Sequence, residues 1–427
     1  MNLQMLPLIA FALVLGAAAA PAQSTHRISI RADGMQPDRD IDRYPAISWD
    51  RSVVAFSSWA TNLVLGDVNE WADVFVHDRR TGLLQMISLT PTGGLANHYS
   101  GAVSCSADGR FIAFGSQASN LVTGDFNDQW DVFLHDRATG LTELVSVSTS
   151  GQQGDDDSSW PAISADGSCI AFTSLASNFG PGGTSSIPYN AFVHDRRTGI
   201  TEQVSVAWDG GPSNDQCLPF PSISADGRFV AFMSTASNLV PGDRNGEVDV
   251  FVRDRMLGVT ERASVRSDGA EGSNSSYDPS ISADGRFVAF WSQASDLVQG
   301  DVNHASDVFI HDRWLRRTAL VSRNSAGDQG DRGSTDVSLS ADGRFVCFDS
   351  IAANLVAGDT NLEEDVFVRD LLLGVTERVS LGNGGTQGND WSQDGVLSAD
   401  GSVVAFLSQA SDLVPGDTNG NVDLFIR

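Results

Sequence analysis

The stretch that decides the fold runs Ser224-Ala225-Asp226-Gly227-Arg228-Phe229-Val230-Ala231-Phe232, followed by Asp249-Val250-Phe251-Val252-Arg253 and Thr260-Glu261-Arg262-Ala263-Ser264-Val265. Pro221-Ser222-Ile223-Ser224, the Phe229–Phe232 run, the Asp249 run and the Thr260 run each have the β-branched and aromatic content of a short strand. Asp226-Gly227 between the first two is a tight-hairpin signal, because both residues tolerate positive φ. The second strand is apolar on both sides, as a strand sandwiched between neighbouring sheets must be.

Working outward, the tetrapeptide returns along the whole chain. Its aspartate falls at Asp50 (in the variant Ser48-Trp49-Asp50-Arg51), Asp108, Asp166, Asp226, Asp284, Asp342 and Asp400, at intervals of 58, 58, 60, 58, 58 and 58. Seven such units account for residues 23–427. A four-stranded sheet repeated at this period is a propeller blade, and no run of helix formers at 3.6-residue periodicity supports an α-solenoid. The expected fold is all-β, a seven-bladed β-propeller with four antiparallel strands per blade. Asp423-Leu424-Phe425-Ile426-Arg427 is a third strand with no fourth after it, while Thr25-His26-Arg27-Ile28-Ser29-Ile30 resembles the fourth-strand pattern Thr376-Glu377-Arg378-Val379-Ser380. The N-terminal strand is therefore expected to complete the last blade and close the ring, removing its open edge.

Ser-Ala-Asp-Gly-Arg-Phe-Val-Ala-Phe, then Asp-Val-Phe-Val and a Thr-Gly turn, resembles the WD-repeat-like propeller repeat of the TolB-like family, over essentially the whole of residues 23–427. The chain departs from TolB itself in lacking an N-terminal α/β domain and in counting seven blades rather than six. The resemblance implies a propeller that serves as a binding scaffold, and it leaves enzymatic relatives open.

In an antiparallel meander the Asp-Gly turns and the Asp-Arg-x-Thr-Gly turns (Asp78 to Gly82) share one end, and both are tight. The second-to-third links, such as 234–247, and the links between blades, such as 208–220, share the other end and are long. Long loops on a rigid scaffold are where binding concentrates, so the long-loop face is the expected working face. Six of its loops carry Gly-Asp-x-Asn-x-x-x-Asp: Asp67/Asn69/Asp73, Asp125/Asn127/Asp131, Asp243/Asn245/Asp249, Asp301/Asn303/Asp307, Asp359/Asn361/Asp365 and Asp417/Asn419/Asp423. Two readings stand for these oxygens at alternate positions. They suit a weakly held structural Ca²⁺, although no glycine stands at position 6 and no distal bidentate Glu follows. They equally suit Asx turns that order the loop without metal. The third copy breaks the pattern, with Pro181 to Asn190 in that place.

The links between blades add aromatics. Tyr44, Trp160 and Phe220 share one column just before the first-strand proline, and Tyr99, Tyr277 and Trp391 lie within a few residues of it. Tyr44, Trp160, Phe220 and Trp391 are the expected ligand-binding rings, stacking on a sugar or anchoring a peptide. The other reading is that they pack between blades.

Much chemistry is absent. Of 27 basic side chains none is lysine, which removes a Gly-Lys-Ser/Thr phosphate loop and Schiff-base catalysis. No Gly-x-Ser-x-Gly elbow appears. His77, His135, His194 and His311 share a column at the end of the third strand, expected to be an exposed or turn-side position and not a ligand set. Cys105, Cys169, Cys217 and Cys347 read as buried free thiols. Each Asp-Arg after a third strand is expected to pair and lock its turn. The first strands read Ala-Ile-Ser, Ser-Ile-Ser and Val-Ser-Leu-Ser, offering hydroxyls and no titratable base, so no catalytic residue is nominated.

A net charge of −27 weighs against nucleic acid and anionic lipid as partners. Residues 1–22, with the apolar run Leu6–Ala20 and Ala20-Pro21-Ala22, read as a secretory signal peptide without a basic n-region, leaving residues 23–427 as the propeller. The resulting expectation is an exported monomer, periplasmic or extracellular, with no membrane insertion. It binds a protein, peptide or glycan through its long-loop face. The alternative is a hydrolase or lyase with a metal or carboxylate site in the central channel.

Overall fold

The computed structural model describes residues 24–180 and 189–427. The expected signal peptide and most of the divergent third-copy loop lie outside them. Seven four-stranded antiparallel sheets follow one another along the chain. In the first blade the strands are β2 (Ala46–Ile47), β3 (Val53–Ser58), β4 (Asp73–Asp78) and β5 (Leu83–Met86), paired in that order. The fifth blade repeats the plan with β18 (Ser276–Ile281), β19 (Phe287–Ser292), β20 (Asp307–Asp312) and β21 (Arg317–Leu320).

Ring closure is as the ends of the sequence require. β1 (His26–Arg27) pairs with β28 (Asp423–Ile426), with Arg27 opposite Phe425, and the Ile28 amide donates to the Leu424 carbonyl at 2.9 Å. The first residues thus supply the outer strand of the seventh blade.

Inside each blade one phenylalanine from the second strand stacks on one from the third. Phe56–Phe75, Phe290–Phe309 and Phe406–Phe425 are examples, with centroids 5.7, 6.0 and 5.8 Å apart and all six rings buried. Between blades the core is shared. Val53, Ala55, Val74 and Val76 of the first blade pack against Ile112, Phe114 and Phe133 of the second, which is why the second strands are apolar on both faces.

Adjacent blades are also clasped near the tight-turn end. Ala107, Ala165, Ala225 and Ala283 each donate a backbone N–H to the carbonyl of the corresponding alanine in the next blade, at 2.8–3.0 Å. The Asp-Gly glycines close the contact. Gly285 has φ +71°, and a Cβ there would lie 2.1 Å from a ring carbon of Phe229 in the preceding blade. Glycine is needed both for the turn and for the approach of the neighbouring blade.

Candidate functional site

The channel is lined by first strands, and above them sits a ring of seven equivalent residues, one per blade: Tyr44, Ala102, Trp160, Phe220, Asp278, Asp336 and Asp394. All seven have positive φ, between 42° and 67°. Where a blade's first strand spans this position, as at Ala102, Trp160, Asp278, Asp336 and Asp394, the residue sits in a register irregularity of that strand. Non-glycine residues in this region carry backbone strain of roughly 1–3 kcal/mol each, retained where the surroundings over-determine the geometry. All seven residues line the two cavities at the channel mouth on the long-loop face.

The ring is divided by chemistry. Tyr44, Trp160 and Phe220, from the first, third and fourth blades, pack on one another with centroids 4.3–5.6 Å apart. They meet across the mouth rather than tucking between adjacent blades. Ala102, from the second blade, leaves open space beside the Tyr44–Trp160 contact. A cavity of about 400 Å³ lies there, walled by Tyr44, Tyr99, Trp130, Trp160 and Tyr189 and edged by Asp42, Arg43 and Asp157. Further small residues hollow the same blade. Gly115 occupies the strand position held by Trp291 in the fifth blade, and a Cβ at Gly101 would meet the Tyr99 hydroxyl at 2.5 Å. Tyr99 is held by Trp59 and Trp130 on either side, at 5.5 and 5.2 Å, and by its hydroxyl donating to Asp42. The Trp130 amide donates to Asp157.

The other part of the ring is acidic, and here the expectation of first strands without a titratable base is corrected. Asp278, Asp336 and Asp394 line a second cavity of about 220 Å³ that shares Tyr44 and Phe220 with the aromatic side. Burial pushes Asp394 up to about 7, with Arg43 opposing and Asp336 and Glu364 adding. Burial likewise raises Asp278 to about 6, against the hydrogen bond it accepts from the Trp291 indole N–H at 2.6 Å. Burial raises Asp336, and it raises Glu364 with the Asp336 charge adding. Beneath them Asp349 is fully buried and driven well above the usual range, and one of its oxygens accepts the Asp394 amide at 2.6 Å. Arg43 is the cation of the group, with its Nε 3.5 Å from Asp394 Oδ2. Burial raises Tyr44 to about 12, so it stays a neutral phenol. These carboxylates escape a reading of the first strands because they sit two or three residues ahead of the Ser-Ile-Ser segments; aligning the column through Tyr44, Trp160 and Phe220 finds them.

Trp391 does not join this ring. It lies beside the mouth with its indole N–H donating to Gln409 at 2.9 Å. Tyr277 stacks on Trp291 at 4.4 Å.

The six Asp/Asn loops resolve into a single device. Asn69 Oδ1 accepts the Trp71 amide, its Nδ2 donates to Asp73 Oδ2, and Asp73 Oδ1 accepts from Ser88. Asn127, Asn245, Asn303, Asn361 and Asn419 likewise accept the amide two residues on. These are Asx turns. The two aspartates of five loops also share a donor from the protein. Arg262 Nη1 lies 3.2 and 2.7 Å from Asp243 and Asp249, Arg378 Nη1 lies 3.2 and 3.0 Å from Asp359 and Asp365, and Arg27 Nη1 lies 2.9 and 3.1 Å from Asp417 and Asp423. Gln153 bridges Asp125 and Asp131, and Gln329 bridges Asp301 and Asp307. A guanidinium or amide donor on these oxygens does not suit a Ca²⁺ cage. The first blade has Met86 and Leu95 at those two positions, and burial there raises Asp73 to about 6. Among the described residues, no group of three or more His, Cys, Asp or Glu is arranged to hold a metal ion.

Two smaller expectations are sharpened or changed. Of the exposed and turn-side alternatives for the third-strand histidines the structure has the turn-side one: His194 and His311 are buried next to the turn, their Nδ1 atoms hydrogen-bonded to Thr201 and Thr318, and burial lowers both. The turn aspartates pair with the hairpin arginine and not with the arginine that follows them: Asp136 with Arg110, Asp254 with Arg228, Asp312 with Arg286 and Asp370 with Arg344. The following arginines reach back to the preceding blade, Arg196 to Glu143, Arg255 to Glu202 and Arg313 to Glu261. The four cysteines are buried and free. No helix among the described residues is long and apolar enough to cross a membrane.

No family model matches the chain, and no curated protein matches it. Among solved structures it is similar to TolB from Acinetobacter baumannii, with 19% identity and a TM-score of 0.39 over 66% of this chain and 54% of that one. This chain thus spans about half the length of that TolB. It is similar to an oligogalacturonate lyase in complex with manganese, with 14% identity and a TM-score of 0.56 over 96% and 93% of the two chains. It is also similar to the propeller domain of the Trilobed protease from Pyrococcus furiosus, with 11% identity and a TM-score of 0.52 over 88% and 92%. At these identities what is shared with the lyase and with the protease domain is the β-propeller fold.

Proposed function

We propose that this is an exported binding protein whose ligand is a neutral saccharide held at the long-loop mouth of the channel. The observation that carries the reading is the gap at Ala102: six members of the seven-residue ring are large or charged, and the one small member opens an aromatic-walled cavity of about 400 Å³. Aromatic walls with a few fixed polar groups at the rim suit the apolar faces and hydroxyls of a sugar. Carboxyls beside the cavity repel an anionic ligand, so an oligogalacturonate, a chain of uronic acids, is the wrong substrate class for this mouth.

The test is isothermal titration of the protein against neutral, cationic and uronic oligosaccharides and against peptides, repeated with Trp160→Ala and Ala102→Trp. The second variant uses a side chain that Trp160 already carries on the same backbone conformation, so it fills the cavity with little strain. Loss of saccharide binding in both variants is expected. A protein that binds only peptides, or that binds sugars equally well with the cavity filled, refutes the reading.

A second reading, hydrolysis, is favoured by the convergence of Asp278, Asp336 and Asp394. Paired carboxyls of which one keeps its proton near neutrality are the equipment of acid-base glycoside cleavage. Reducing-end release near pH 6 that is abolished in both Asp394→Asn and Asp278→Asn would establish it. Saccharide binding with no release would leave the protein a binder.

A further inference from the structure

The tight-turn face carries a feature that neither the channel nor the ring uses. In the fourth, fifth and sixth blades the turn between third and fourth strands presents Met256-Leu257, Trp314-Leu315 and Leu372-Leu373, with 65–75% of each residue exposed. The same two positions in the first three blades are Arg80-Thr81, Ala138-Thr139 and Arg197-Thr198. The turn does not need the apolar side chains. Asp254 Oδ1 accepts the amides of Met256 and Leu257, Asp312 those of Trp314 and Leu315, and Asp370 those of Leu372 and Leu373. Asp78 holds the same turn through the amides of Arg80 and Thr81. Trp314 also lies under the Arg286 guanidinium, 5.0 Å from its ring centroid, and the other five side chains have no part in holding the turn. Six large apolar side chains exposed on three consecutive blades cost solubility, which marks an interaction surface.

We infer that these three turns insert into the interfacial layer of a lipid bilayer, with the long-loop face turned away from it. The tips project from the ends of three neighbouring blades on one face of the ring, a shape that suits a broad deformable surface better than a groove. Tryptophan and leucine side chains are suited to the headgroup boundary. The charge around the tips fits as well. Asp254, Asp312 and Asp370 are each neutralised by an arginine; the hairpin aspartates Asp226, Asp284 and Asp342 are exposed on the same end, and against them Arg316 and Arg317, beside Trp314-Leu315, are exposed with no acidic partner among the described residues. Two free guanidinium groups at an apolar tip suit lipid phosphates. The acidic loops lie at the far end of six-residue strands, about 20 Å away, against a screening length of about 8 Å at physiological salt. The net charge of the chain does not therefore decide what this face meets.

Vesicle flotation tests the inference, using phosphatidylcholine alone and an equimolar mixture with phosphatidylglycerol. The wild-type chain is expected to float with vesicles, more strongly with the anionic mixture. Replacing all six apolar tip residues by serine is expected to lower partitioning at least about tenfold. Arg316→Glu with Arg317→Glu is expected to abolish the preference for phosphatidylglycerol and leave the saccharide titration unchanged. Absence of wild-type flotation on both vesicle types overturns the inference, and so does a concentration-dependent wild-type dimer that the serine variant dissolves, since a second copy would then cover the patch. Melting each variant beside the wild type shows whether lost flotation is lost folding, and the arginine pair supplies an independent arm if the serine variant does not fold.

Discussion

Replacing Arg378 by methionine gives the sixth blade the side chain that the first blade carries at the same register, since Arg378 lies opposite Phe367 and Met86 opposite Phe75. In the native blade the Arg378 side chain is 7% exposed, and its Nη1 lies 3.2 Å from Asp359 Oδ1 and 3.0 Å from Asp365 Oδ2. Asp365 is fully buried, and burial already outweighs the guanidinium enough to raise its carboxyl. The first blade lacks the arginine and displays the consequence: Asp73, equally buried, is pushed up from 3.8 to about 6. At one pH unit per 1.36 kcal/mol, ionising such a group in the folded chain costs about 3 kcal/mol. Asp365 already bears part of that cost in the native blade, so the new loss in Arg378→Met should be about 1–3 kcal/mol at pH 8, at or below the ~3–5 kcal/mol typical of breaking a buried pair. The sign of the pH dependence is set by the raised carboxyl, which holds its proton more tightly folded than unfolded. The penalty is complete above about pH 7, shrinks as pH falls through the folded value and vanishes below the unfolded value of about 3.9. Urea unfolding of both proteins at pH 8 and pH 4.5 measures the difference. A loss below about 1 kcal/mol at pH 8, or an equal loss at both pH values, refutes the account of the loops as protein-neutralised carboxylate pairs.

The same geometry sets other outcomes. Met86→Arg should supply the missing cation to Asp67 and Asp73 and raise stability above pH 7, with no gain at pH 4, read by the same unfolding series. Asp73, Asp131, Asp307 and Asp278 are raised to about 6 and Asp394 to about 7, while His77, His135, His194 and His311, lowered by burial, work in the opposite sense; the larger carboxyl shifts set the sign, so the melting temperature of the wild-type chain should fall as pH rises from 5 to 8, and a rise over that range contradicts it. Gly285→Ala forces a Cβ to 2.1 Å from Phe229 at a φ of +71° and should cost more than about 3 kcal/mol in unfolding free energy, whereas Gly300→Ala, also at positive φ with nothing within 4 Å, should cost about 1 kcal/mol. Millimolar Ca²⁺ against a chelator should leave the melting temperature unchanged, because arginine or glutamine already holds the aspartates of five loops; a clear rise would restore the calcium reading.

The division between what was legible in the residues and what was not tracks the range of the interactions. Blade count, strand order, the Asp-Gly turns and the pairing of Arg27 with the last strand could be read directly, because a repeat whose phenylalanines recur at fixed spacing can bury them only by stacking one copy on the next. Buried free thiols came from the same alternation. The mouth of the channel was read in part. Tyr44, Trp160 and Phe220 share a visible column, and Asp278, Asp336 and Asp394 stand in the same column without a local signal, since a positive φ turns it inward and nothing in the neighbouring residues announces that conformation. Whether an acidic loop faces an arginine, a glutamine or neither, whether three rings pack across the channel, and whether the one alanine among seven opens a cavity all depend on groups brought together from distant parts of the chain. Local patterning determined the wheel; only the closing of the ring decided what its centre contains.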